Sequence, residues 1–327
     1  MNMCWLRIII ATLFIVAANV AGAQTGPWPN QTVKLITPFP AGATADALAR
    51  ILADHLSTVF GKPFVVENRA GAGGMIGSLA AASAAPDGYT LLVSGNASHI
   101  VAPAFAPKAL YDGLRDFTHI GFLGGSPVGL VINPSLPANN YAELLKYLKS
   151  NEPLDYTSSG VGTNGFLFGE ELSAKESLRL NHIPYKGGAI AMTDLVAGHV
   201  KLATMTYATA SGQVRAGKLK AIALSSENRL AHYSEIPTFK ELGYPDMISL
   251  SWFGISGPKG LPADIAEAIN REVLVVVQKP EIRARLDRDA IEVKPMSVAA
   301  TNQYFEAETA RWAPLARALR DKGFKAE

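Results

Sequence analysis

Short β-rich runs alternate with stretches of helical periodicity along almost the whole chain. This alternation limits the fold more than any other feature, because it marks sheets of mostly parallel strands covered by helices on both faces. Strands are predicted at 33–37, 64–67, 90–94, 129–133, 155–158, 182–185, 202–206, 220–224 and 250–255. Between them, helices are predicted at 46–59, 74–84, 141–150, 165–174, 189–197 and 209–216. After Pro262 the texture turns helical, at 263–278, 280–290 and 298–322, a block suited to packing rather than chemistry. The fold class is α/β.

Residues 1–23 stand apart from this pattern. Arg7 is their only charge, residues 8–20 are mostly apolar, and Ala21-Gly22-Ala23 offers the small side chains a signal peptidase accepts, so cleavage is expected before Gln24. The apolar run falls short of the ~20 residues that span a bilayer. Cys4 lies in the leader, which leaves no cysteine in the mature chain, as suits an exported protein folding in an oxidising compartment. Its 304 residues carry 29 basic and 28 acidic side chains. That balance argues against nucleic acid, which requires a clustered basic surface. The length accommodates two lobes at ~100–200 residues each. No polar linker divides them, so the chain is expected to cross between lobes more than once, through 122–132 and 250–256 acting as a two-stranded hinge. Lobe 1 is then 24–124 plus 251–327, and lobe 2 is 125–250.

Two strand-to-helix turns carry the functional signal. In the first, Pro38-Phe39-Pro40-Ala41-Gly42-Ala43-Thr44-Ala45-Asp46 follows a strand and opens a helix, so unpaired N–H groups and the positive end of the helix dipole point outward. Gly42 allows close approach to the main chain, Thr44 is expected to cap the helix, and Asp46 is spaced to pair with Arg50. In the second, Ser158-Ser159-Gly160-Val161-Gly162-Thr163 stands between a strand and a helix in the other lobe. Facing turns of this kind suit a carboxylate. The polar loop Ser94-Gly95-Asn96-Ala97-Ser98 fits the same cleft, and Lys186 is the nearest candidate cation.

Motifs of other functions fail on spacing. Gly71-Ala72-Gly73-Gly74-Met75-Ile76-Gly77 resembles a dinucleotide loop, but Ile76 stands where the third glycine belongs, so these glycines are assigned to a tight turn and close helix packing, with Asn68 and Arg69 tying the loop. No nucleophile elbow or zinc-protease motif occurs, and Ser256-Gly257-Pro258-Lys259 cannot form the helical turn that would set lysine beside serine. The six histidines lack metal-ligand spacing. The chain is expected to be neither an enzyme nor a cofactor or metal protein.

Taken together, Thr37-Pro38-Phe39-Pro40-Ala41-Gly42 with Asp46, Val66-Glu67-Asn68-Arg69 with Gly71-Ala72-Gly73-Gly74, Ala85-Pro86-Asp87-Gly88-Tyr89-Thr90, Ser159-Gly160-Val161-Gly162 and Ile183-Pro184-Tyr185-Lys186-Gly187 resemble the extracytoplasmic receptors of tripartite tricarboxylate transporters, the Bug proteins. The resemblance implies a periplasmic binding protein fold, type II-like, with a ligand cleft between two lobes. It also implies a small organic carboxylate as ligand, a membrane permease as partner and action as a monomer. Carried over residue by residue, it nominates Phe39, Gly42, Ala43, Thr44 and Asp46, with Ser94, Asn96 and Ser98 opposite. From lobe 2 it nominates Gly162, Thr163, Tyr185 and the loop after 202–206, that is Thr206 and Tyr207; Gly160 of the second turn and Lys186, the candidate cation, join the site from the reading of the turns themselves.

Thr206 and Tyr207 stand where relatives often carry an acid, which suggests an apolar-tailed or aromatic acid as an alternative to a di- or tricarboxylate. A sensor presenting its ligand state to a membrane partner is the alternative role.

Overall fold

The computed structural model describes residues 27–151, 153–185 and 187–325; the leader and Lys186 lie outside these residues. Strand β1 (Val33–Thr37) lies between β2 (Phe64–Asn68) and β3 (Thr90–Gly95), parallel to both. Antiparallel to β3 runs β9 (Leu250–Pro258), which passes the sheet to the 16-residue β4 (Phe117–Ile132). From Phe117 to Pro127, β4 pairs with β9; from Val128 onward it pairs with β7 (Leu202–Thr206) and, from Gly129, with β8 (Lys220–Leu224). Parallel pairs then lead from β7 to β5 (Leu154–Thr157) and β6 (Leu180–Ile183). The outer strands of each lobe are parallel and the central ones antiparallel, on one path β2-β1-β3-β9-β4-β7-β5-β6 with β8 beside β4.

The two expected crossing runs are therefore β4 and β9, and β4 starts earlier than its sequence suggests. Gly121 and Gly124 sit at register shifts against β9, with Gly124 at φ 150°, so these glycines mark bulges within a strand rather than a break.

Helix α1 (Thr44–Phe60) covers β1 and ends at Gly61 in the left-handed conformation. α2 (Met75–Ala82) follows the glycine turn, where a Cβ on Gly77 would lie 2.8 Å from the Arg69 carbonyl oxygen and 2.9 Å from Pro38 Cα, the close packing expected of that loop. A π-helical turn, Ala97–Val101, runs into the short α3 (Ala102–Phe105), where the sequence had suggested only a polar loop. Lobe 2 contributes α4 (Tyr141–Ser150), α5 (Asn164–Lys175), α6 (Gly188–Ala197) and α7 (Tyr207–Arg215). The chain closes with α8 (Ala263–Val276), α9 (Pro280–Arg288) and α10 (Val298–Asp321).

Each lobe has its own apolar core. Leu35, Leu52, Val93, Ile269 and Val273 belong to the first, and Leu130, Tyr156, Phe168 and Phe239 to the second. A third cluster joins Ile100, Phe105, Phe122, Trp252, Phe305 and Trp312 to Phe166 of α5. At roughly 1.5–3 kcal/mol per fully buried large side chain, this cluster is a substantial contact between lobes.

Candidate functional site

Helix α1 begins without a cap of its own. Its N-cap residue is Ala43, at φ −70° and ψ 162°, and alanine has no oxygen to offer the first helical N–H groups. Thr44, expected as the cap, is instead the first helical residue, half-buried at the turn. The first intrahelical bond runs from the Ala47 N–H to the Ala43 carbonyl at 3.1 Å, so the N–H groups of Thr44 and Ala45 precede the helical ladder. An uncapped helix end on an exposed turn favours an anion.

Asp46 holds this turn in shape. Its carboxylate accepts from the Gly42 N–H, Arg50 Nε, Arg50 Nη2 and Asn68 Nδ2, each at 3.0 Å. The Arg50 hydrogen bonds are the main reason its pKa falls to about 2, against the cost of burial. Asn68 also donates to the Phe39 carbonyl at 3.0 Å, tying β2 to the turn, while the Phe39 ring packs half-buried against the core. Two expectations change here. Asp46 is committed to the fold rather than presented to a ligand, and the Gly42 N–H is already taken by it. Gly42 itself is exposed at φ 83° with open space where a Cβ would stand.

The second turn is built differently. Gly160 is buried at φ 126°, and its N–H donates to Ser158 Oγ at 3.1 Å. Thr163 is the N-cap of α5: its hydroxyl accepts from the Phe166 N–H at 3.3 Å and donates to the Gly160 carbonyl at 2.8 Å. Gly162, at φ 84°, and the N–H groups of Asn164 and Gly165 complete this edge.

The two turns are linked through the π-helical segment. Val161 packs on the cluster that holds Ile100, Val101 and Phe105, and the Phe105 and Phe166 rings lie 6.4 Å apart across the lobes. At the other end of that segment, a Cβ on Gly74 would lie 2.8 Å from Ser98 Cβ and 3.5 Å from Phe39 Cζ.

Other expected site residues are placed inside the protein. Ser94 is fully buried and accepts from Ser256 Oγ at 3.0 Å; Ser256 in turn meets His119 Nδ1 at 3.1 Å, and burial holds His119 down at about 4. Ser98 is also fully buried, donating to the Gly95 carbonyl at 3.3 Å, and Asn96 Nδ2 reaches the Leu250 carbonyl at 3.5 Å. These side chains shape the loop from within, contrary to the expectation that they face the cleft. Tyr207 is likewise a core residue, with no exposure, its ring 5.0 Å from Tyr233 and lodged where Gly129 leaves room. The aromatic-acid alternative thereby loses one of the two residues that prompted it, Tyr207, while Thr206 is half-buried.

Tyr185 is half-buried and donates to Asp194 at 2.5 Å, which pushes its hydroxyl up to about 12. Thr206 Oγ1 meets Ser251 Oγ at 2.8 Å. Ser126, Ser249 and Ser251 were missed, because serines within or beside strands give no local signal of the turns they touch.

The model of the tripartite tricarboxylate transporter family receptor matches residues 48–320. The chain belongs to this family. The receptor is 32% identical over 322 residues to Protein BugT of Bordetella pertussis, covering 97% of this chain and 98% of that one. Among solved structures it resembles a protein of R. palustris with adipate, at TM-score 0.80 and 30% identity, covering 89% of this chain and 97% of the other. It also resembles MatC of Rhodopseudomonas palustris with bound malate, at TM-score 0.77 and 28% identity, covering 88% and 100%. The receptor therefore has the two-lobed α/β fold of periplasmic binding proteins and belongs with solute receptors rather than enzymes.

Proposed function

We propose that this receptor captures a small organic dicarboxylate between its first and second turns, in the periplasm, and delivers it to a tripartite tricarboxylate-type permease. The observation that carries the proposal is the uncapped start of α1 behind Ala43, on the turn whose Phe39 lies by Gly74 and Ser98 of the segment that continues into the cluster on which Val161 of the lobe-2 turn packs. The adipate and malate bound by relatives support the ligand class. Export follows from the leader at residues 1–23, and the lobes are divided at 124/125 and 250/251, a reading supported by the change of β4 from β9 to β7 between Pro127 and Val128 and the start of β9 at Leu250.

Magnitudes show why one seat is insufficient. A helix end contributes about 0.3–1 kcal/mol to a nearby anion, up to ~2 when partly buried, and each hydrogen bond to a charged group adds roughly 1.5–3. Micromolar binding needs about 8 kcal/mol. The Thr44 and Ala45 N–H groups and the Thr44 hydroxyl account for one carboxylate, and donors at the second turn for the other.

Calorimetry on the mature protein, refolded to strip bound ligand, tests this with malate, succinate, adipate, citrate and benzoate. Micromolar or tighter binding of a C4–C6 diacid is expected. Preference for benzoate, or silence toward every diacid, would overturn the proposal.

A further inference from the structure

The third strand-to-helix turn, at Thr206, is held from outside its own helix. Thr206 is the N-cap residue of α7 but makes no capping bond; its hydroxyl is turned to Ser251 Oγ on β9, 2.8 Å away. The cap comes instead from Ser126 on β4, whose Oγ accepts from the Ala208 N–H at 3.0 Å. Ser126 and Ser251 are direct cross-strand partners where the two crossing strands run between the lobes. One serine on each strand therefore grips residues 206–208.

The start of β9 and the residue before it hold the other turns. Ser249 Oγ accepts from Asn164 Nδ2 at 2.9 Å, at the start of α5, and the Leu250 carbonyl accepts from Asn96 Nδ2 at 3.5 Å, in the lobe-1 loop. Three consecutive residues, 249–251, thus hold one bond each from the segments beside the second turn, the lobe-1 loop and the third turn. The serines, Asn96, Asn164 and Leu250 are buried, while Thr206 and Ala208 are half-buried, so loss of a partner leaves the buried polar atoms unpaired.

We infer that Ser126 and Ser251 are positioning residues for the ligand: they fix the 206–208 turn to the hinge as the floor against which the length of a bound diacid is measured. The length readout rests on the proposed carboxylate function; the grip itself does not. Loss of either hydroxyl frees the floor to shift relative to the walls anchored at Ser249 and Leu250. Discrimination between short and long diacids then weakens.

The test uses Ser126→Ala, Ser251→Ala and the hydroxyl-retaining Ser251→Thr in the full mature chain. Amide exchange at Ala208 in ligand-free protein is expected to quicken roughly fivefold to tenfold in both alanine variants, relative to Leu52 in α1, and to return toward wild type in Ser251→Thr. The ratio of succinate to adipate dissociation constants is expected to move toward unity by a similar factor in the alanine variants, and to stay near wild type in Ser251→Thr. Unchanged exchange at Ala208, or faster exchange with an unchanged ratio, would overturn the inference. Should wild type bind neither diacid, the carboxylate function fails, and Ala208 exchange alone decides the grip: faster supports it, unchanged refutes it.

Discussion

Asp46 concentrates four donated hydrogen bonds on one carboxylate, and its removal is expected to act on the turn rather than on the ligand directly. Asp46→Asn keeps the shape but not the charge, and is expected to cost roughly 1–2 kcal/mol of stability, discounted because Arg50 is more than half exposed. With the folded pKa depressed to about 2, the wild-type contribution is fully present above about 4 and lost as pH falls toward 2. Acid unfolding followed by circular dichroism should show that loss in wild type and a flatter profile in the variant. The Asp46–Arg50 pair was legible from its i,i+4 spacing. The donation from Asn68 was not, since it depends on β2 lying beside β1. The cap was misread by one residue because threonine is the better capping residue, whereas the chain places Ala43 at that position.

Helices α1 and α5 show two ways of starting a helix after a strand. α5 satisfies itself through Thr163, and Thr163→Val should lower stability by about 1 kcal/mol, the usual cost of a lost cap. α1 leaves its first N–H groups open, which suggests the opposite experiment. Ala43→Ser, at a backbone already extended, should supply the missing cap, raise the melting temperature and weaken diacid binding by occupying the donors. Raised stability with unchanged affinity would remove the α1 terminus from the site. Eight of the nine strands were placed near their observed bounds from β-rich runs between turn residues, whereas β4 was seen only in part. The Ala97–Phe105 segment escaped notice because a π-helical turn breaks the 3.6-residue period and Pro103 reads as a stop.

Over the whole molecule, α10 braces the hinge region. Arg311 donates to the Ile248 and Asp246 carbonyls, lies 3.4 Å from Glu171 of α5, and stacks over Trp312 at 4.4 Å. One turn earlier, burial pushes the Glu308 carboxyl up to about 7, with Arg311 partly opposing the shift. A carboxyl raised above its unfolded value favours the folded state less as it ionises. Stability is therefore expected to fall by up to about 3 kcal/mol as pH rises from ~4.5 to 7, and Glu308→Gln should flatten that slope in thermal melts across the range.

The two crossings were legible from the absence of a linker, but the serine grip on the third turn joins residues about 45 and 80 positions apart and has no sequence signature. The central claim, a diacid held from both lobes at once, is tested most directly by backbone amide NMR during malate titration. Thr44 and Ala45 in lobe 1 and Asn164 and Gly165 in lobe 2 should shift together with one dissociation constant. Saturable binding that moves the amides of only one turn, or neither, would contradict the account.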